Sequence, residues 1–328
     1  MKVAASSQEL TVSDFTVRGV NGPIGKVYGE ALLEAASHDS RIVCLSADLT
    51  PATETDLFRD SLPDRFFNLG IAEANMVGVA GGMARSGDIP FIHTFSVFAT
   101  RRCYDQIAMQ AAYPKANVKI VGFLPGLTTV LGVSHQAIDD LALMRGLPNM
   151  MVIEPADTGQ IKSAVQAAIA YQGPVYLRLK RSDGALPETF AHRPLTPGRV
   201  EMRRTGKDGL ILASGLMVEA AEQAAEMLAM EGLSVSVANV ATVKPLDREI
   251  AALAAAAGTV VTAENHSIIG GLGSAVAELL MEEGVNVGFA RVGVRDTFAE
   301  GGSTNYLLAR YGLTASDIVR AFHQARRS

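Results

Sequence analysis

The 328-residue chain is 48% hydrophobic and 19% charged, which suits one large or two medium folded domains and excludes a disordered protein. A net charge of -5 gives no footing for nucleic acid or an anionic membrane. Two cysteines, Cys44 and Cys103, are too few for a disulfide framework. With no signal-peptide core at the start and no apolar run of ~18–20 residues, a cytoplasmic protein that does not span a membrane is expected.

In chain order, the amphipathic "GPIGKVYGEALLEAASHD" predicts a helix and "RIVCLSAD" (41–48) a short strand entering a loop. The helix "EANMVGVAGGMARSG" follows, then strands "IPFIHTFS" (89–96), "VKIVGFL" (118–124), "MMVIEPA" (150–156) and "GPVYLRLK" (173–180), with a helix over "DTGQIKSAVQAAIAY" before the last. Strand and helix alternating in this way predict an open, mostly parallel sheet covered on both faces. In such sheets ligands gather beyond the carboxyl ends of the strands. The polar, proline-bearing stretch 181–209 contains the predicted linker, placed at 186–206 between domains spanning 15–185 and 207–328. A second α/β series follows: "LILASG", helix "MVEAAEQAAEMLAMEG", "SVSVANVATVKPLD", helix "REIAALAAAAG", "TVVTAEN", helix "GSAVAELLMEEG", "VNVGFARVGV", and a last helix from about Ala315.

Glu73 is the single carboxylate of "FFNLGIAEANMVGVAGGMA", residues 66–84. By itself it reads first as a helix-start acid favoured by the dipole. If buried, it needs a partner or a proton. Phe95 and Phe98 lie three apart where a strand ends, as core packing or as a wall for a flat heterocycle; Arg102, Asp105 and Gln106 continue on the helix that follows. His135 stands in a loop after a strand's carboxyl end. Arg178 and Arg181 stand at another strand end, solvated or able to clamp an anion. "IIGGLGS" (268–274) reads as a tight turn feeding a helix, because it lacks a dinucleotide fingerprint and a P-loop lysine. Six scattered histidines show no metal-ligand spacing.

In order, "LSADLTPA", "FFNLGIAEANMVGVAGGMA", "TFSVFATRRCYDQ", "GVSHQAIDDLALMRGLPNM" and "PVYLRLKRSDG" resemble the pyrimidine-binding domain of transketolases and 1-deoxyxylulose-5-phosphate synthases. "TVKPLD", "ENHSIIGGLGSAVAE" and "RDTFAEGGS" resemble their C-terminal domain. The family's diphosphate- and metal-binding GDG-type motif has no counterpart in this sequence. The resemblance therefore implies the C-terminal subunit of a split transketolase. The resemblance also implies, as partner, an N-terminal subunit that holds the diphosphate and Mg2+ or Ca2+, in an α2β2 assembly acting on small sugars or aldehydes. It implies thiamine diphosphate as cofactor, with Glu73 on ring nitrogen N1′ of the aminopyrimidine and Phe95 and Phe98 around that ring. It further implies Asp48 nearby at the interface, His135 facing substrate, and Arg181, with Arg178 as the weaker candidate, binding a sugar phosphate.

Some positions depart from the family pattern. "TVLGVSHQ" carries Leu131 where typical transketolases have an acid on a sugar hydroxyl, and Phe123 stands for a histidine. Ala52 stands for a phosphate-binding serine and Gly25 for an arginine. Losing such donors weakens the grip on a phosphorylated sugar, so an unusual substrate is expected. The alternatives are the β subunit of a 2-oxoacid dehydrogenase, a 1-deoxyxylulose-phosphate-synthase-like acyl-anion transferase, and a non-catalytic subunit that kept the fold.

Overall fold

A computed structural model describes residues 26–180 and 194–327, and the apolar runs of the sequence form two sheets in it. The first sheet takes β1 (Ile42–Ser46), β2 (Phe66–Asn68), β3 (Ile89–Phe95), β4 (Lys119–Phe123), β5 (Met151–Ile153) and β6 (Val175–Leu179), these six all parallel to one another. β1, β3, β4 and β6 are buried at every position. That is why they read as continuous apolar runs and not as alternation. One face is covered by α1 (Val27–His38), with α2 (Asp56–Ser61) packed against it. The other is covered by α3 (Glu73–Arg85). Beyond β3 come α4 (Ser96–Thr100), an irregular helical segment over 101–112, α5 (Asp140–Gly146) and α6 (Ile161–Ala170). Tyr28, Leu32, Ile161 and Val165 pack on Phe91, Val121 and Leu177; on the opposite face Met76, Val77, Ile107 and Leu141 pack on Leu45, Ile92 and Ile120.

The second sheet holds β7 (Glu201–Arg204), β8 (Leu210–Ala213), β9 (Ser236–Asn239), then β11 (Thr259–Ser267) and β12 (Gly288–Val294), in the order β12-β11-β8-β9-β7. α7 (Met217–Met230) and α11 (Ala315–Arg327) cover one face, and α8 (Glu249–Ala257) and α9 (Leu272–Glu282) cover the other. α10 (Thr304–Arg310) precedes α11.

Two expectations are corrected. Residues 201–204 lie within the stretch read as linker, yet they form β7, antiparallel to β9 at the sheet edge. "EMRR" has no apolar run to announce a strand, and its charges suit an edge, where unpaired backbone must be kept from other chains. "SVSVANVATVKPLD" is not one strand of the second sheet. Its second part, β10 (Thr242–Lys244), crosses over and pairs antiparallel with β5, closing the edge of the first sheet. The segment 186–193 of the predicted linker lies outside the described residues.

Candidate active site

Glu73 opens α3, and its side chain is 1% exposed. No side chain caps this helix, so the carboxylate sits against the free N–H end of the dipole. Its partner is not solvent. Arg102 Nη1 donates to Oε1 at 2.9 Å and to Oε2 at 3.1 Å. The guanidinium carbon lies 4.1 Å from the centroid of the Phe98 ring, a cation–π contact. Arg102 itself is 45% exposed, so the pair has a dry end and a wet end.

The aromatic residues continue the chain of contacts. β3 ends at Phe95 and α4 begins at once, which brings Phe98 back beside it with ring centroids 6.1 Å apart. The half-buried His135 ring meets Phe98 edge-on at 5.2 Å and Phe95 at 6.2 Å. Its Nδ1 is 2.9 Å from Ser134 Oγ, leaving Nε2 for another group. Burial lowers the pKa of His135, and the Arg102 charge lowers it further, so the ring is held neutral at pH 7. Glu73, Arg102, Phe98, Phe95 and His135 thus form one contiguous cluster beyond the carboxyl ends of β3 and β4.

Asp48 lies at the same carboxyl-end side of the sheet, in a left-handed conformation with φ 61° just after β1, and is exposed. Asn68 ties its loop to the loop that enters α3. Asn68 Nδ2 donates to Asp48 Oδ1 at 3.0 Å, while its Oδ1 accepts from the Asp48 and Gly70 N–H groups. Arg178 is a correction: it is fully buried, not an exposed clamp for an anion. Its Nε and Nη2 bond Asp140 at 2.7 and 3.1 Å, Nη1 bonds Glu154, and Nη2 also reaches the Asn265 carbonyl at 2.9 Å. A strand-end arginine reads alike whether it faces water or a buried acid. Phe123 is also core, edge-on to Tyr28 with centroids 5.5 Å apart, so it is no part of a sugar-binding rim. Leu131 and Ala52 are half-buried. Arg181 and Gly25 lie outside the described residues.

Residues 23–185 match the family described as transketolase, pyrimidine binding domain, and residues 198–318 match transketolase, C-terminal domain. The chain is 47% identical to the 6-deoxy-6-sulfo-D-fructose transketolase subunit SqwH of Clostridium sp. (strain MSTE9), over 90% of this chain and 92% of that protein. The chain belongs to the transketolase family. It is also 36% identical to the 1-deoxy-D-xylulose-5-phosphate synthase of Heliobacterium modesticaldum (strain ATCC 51547 / Ice1), over 90% of this chain but only 46% of that enzyme. A solved split gene transketolase, an inactive beta4 tetramer, superposes with a TM-score of 0.85 at 47% identity, covering 92% of this chain and 97% of that one.

Transketolases depend on thiamine diphosphate, and the residues of this transketolase chain fit its aminopyrimidine. The Arg102 guanidinium, a flat cation, lies between the Phe98 ring, 4.1 Å from its centroid, and the Glu73 carboxylate, which it bonds at 2.9 and 3.1 Å. No group of three metal-ligating side chains occurs among the described residues. Sequence reasoning did not assign Arg102 and Asn68 to the site. The four-residue step from Phe98 to Arg102 was the signal for the first; nothing local marks the second.

Proposed function

We propose that this chain is the C-terminal subunit of a two-chain transketolase, transferring a two-carbon ketol unit from a ketose to an aldehyde. The observation that carries this reading is the Glu73–Arg102–Phe98–His135 cluster at the strand ends. Thiamine diphosphate supplies the carbon–carbon bond chemistry when bound. Glu73 would accept the hydrogen bond of ring nitrogen N1′ and hold the proton there, in a dry setting that strengthens the bond. Phe98 and Phe95 would orient the flat ring. His135, neutral and with Nε2 free of Ser134, would exchange a hydrogen bond or a proton with a substrate hydroxyl. Asp48 would stand beside the cofactor at the subunit boundary, and Arg181 would bind the far end of the sugar.

A separate N-terminal subunit would hold the diphosphate and Mg2+ or Ca2+, in an α2β2 assembly. Ile71, 74% exposed two residues before Glu73, supports a subunit contact beside the site. The apolar Leu131 and the name of the Clostridium relative support a donor that is not an ordinary sugar phosphate, such as a sulfonated ketose. An acyl-anion transfer like that of the 1-deoxy-D-xylulose-5-phosphate synthases is the second reading, supported by the 36% identity to one of them. A cytoplasmic placement is supported by Cys44 and Cys103, both free and buried. The test is to purify the chain with its partner and assay ketose donors against aldehyde acceptors, with and without phosphate or sulfonate. Ketol transfer by the pair and none by either chain alone is expected. Full activity of this chain alone, or no thiamine diphosphate binding by the pair, overturns the proposal.

A further inference from the structure

Asn265, near the end of β11, is fully buried, and its side-chain amide bonds the loop that follows β4 in the other domain. Its Oδ1 accepts from Leu127 N–H at 3.0 Å and its Nδ2 donates to the Pro125 carbonyl at 3.1 Å. The amide gives this turn the donor and acceptor that a neighbouring strand would offer. Gly126, between the two bonds, has φ +58°, and a Cβ there would collide with Asn265. The second domain holds the loop elsewhere too. Leu127 is buried in its core, and Ser267 N–H donates to the Ile138 carbonyl at 2.8 Å. Gln136 Nε2 donates to the Glu300 carbonyl at 3.0 Å, and Gly132 backs onto Gly301. His135 rides on this loop, while the rings it meets, Phe95 and Phe98, belong to the first domain.

We propose that Asn265 is a positioning residue, through which the C-terminal domain sets the 125–137 loop and so aims His135 at the Phe95–Phe98 site. The inference rests on the transketolase reading above. Apart from a single bridge between Pro125 and Ala137, the loop has no sheet pairing; its own turn bonds, such as Gly126 N–H to the Ala137 carbonyl at 2.9 Å, leave its placement against the first domain to such anchors. No other side chain of similar size fills the role. Aspartate would accept from Leu127 but set a carboxylate oxygen against the Pro125 carbonyl, and leucine would strand the Leu127 N–H, although the Pro125 carbonyl would keep the Thr128 hydroxyl at 2.6 Å.

Three measurements on the full chain test this, using Asn265→Ala and the near-isosteric Asn265→Asp. Hydrogen exchange of amides 126–136 is expected to rise roughly tenfold or more in Asn265→Ala, and less in Asn265→Asp, as the loop opens locally. The His135 titration, followed by NMR, should move up toward the ordinary histidine value as the ring leaves Phe98 and Arg102. In the complex with the partner subunit, kcat/KM should fall roughly 100-fold, the usual consequence of an ångström-scale misplacement. Thiamine diphosphate affinity should hold, because Glu73, Phe95 and Phe98 stay in place. In a His135→Ala background, Asn265→Ala should add little further loss, since one residue acts through the other. Equal losses in both backgrounds, or unchanged exchange and titration in both variants, overturn the proposal. If exchange and titration shift but the wild-type pair transfers no ketol unit, the positioning stands and the assigned reaction fails.

Discussion

Replacing Arg102 by methionine removes the one cation bonded to Glu73 among the described residues, while keeping an apolar stem on Phe98. Taking one partner from a fully buried ion pair costs about 3–5 kcal/mol, because the other charge is stranded. An exposed pair is worth only ~0–1 kcal/mol. Glu73 is 1% exposed and Arg102 45%, so this pair lies between the two cases. A loss of about 2 kcal/mol is expected, including about 0.5–1 kcal/mol from the cation–π contact. The assay is urea unfolding of the full chain in a double-mutant cycle with Glu73→Gln. In the Glu73→Gln background no charge is stranded, and Arg102→Met should cost under ~0.5–1 kcal/mol, the residue of ring stacking alone. Equal costs in the two backgrounds would refute the view that Arg102 is there to partner a buried carboxylate.

Glu73→Gln itself should leave assembly with the partner intact and reduce turnover severely, checked by size-exclusion chromatography and a ketol-transfer assay; wild-type turnover would remove Glu73 from the mechanism. Glu264, buried in β11 and accepting from the Leu272 and Gly273 N–H groups at the start of α9 at 2.6 and 2.9 Å, has its pKa pushed up to about 7, burial outweighing the two bonds. The folded state therefore holds a proton that the unfolded state has released, and stability should fall as pH rises from the ordinary carboxyl range to about 7. Glu264→Gln should flatten that slope in thermal midpoints taken from pH 5 to 8. Arg178→Met strands both Asp140 and Glu154 and should cost at least about 3–5 kcal/mol, measured as soluble yield and urea midpoint. Arg178→Lys should not rescue it, because a point charge cannot bridge both acids. A stable Arg178→Met chain with only a raised KM would restore Arg178 as a substrate ligand.

Much of the fold is legible because burial on both faces writes itself into the sequence. β1, β3, β4 and β6 stand out as unbroken apolar runs, and α1, α3 and α6 as periodic stretches before and between them. The order of strands and helices is enough to place Phe95, Phe98 and His135 beyond strand ends, and the motif around Glu73 marks that residue among apolar neighbours. What remained hidden depends on pairs far apart in the chain. A charged side chain does not announce its partner: Arg102 pairs with Glu73 across 29 positions, whereas Arg178 turns inward to Asp140 and leaves the site. β7 is written in charges because it is an edge, and β10 leaves its own sheet because the edge beside β5 is open to it. The sequence by itself determined the α/β class, the strand ends where the site gathers, and the candidate residues there. Only the tertiary structure decided which of them meet, because hydrogen bonds and ion pairs are set by distance in space, which local periodicity does not encode.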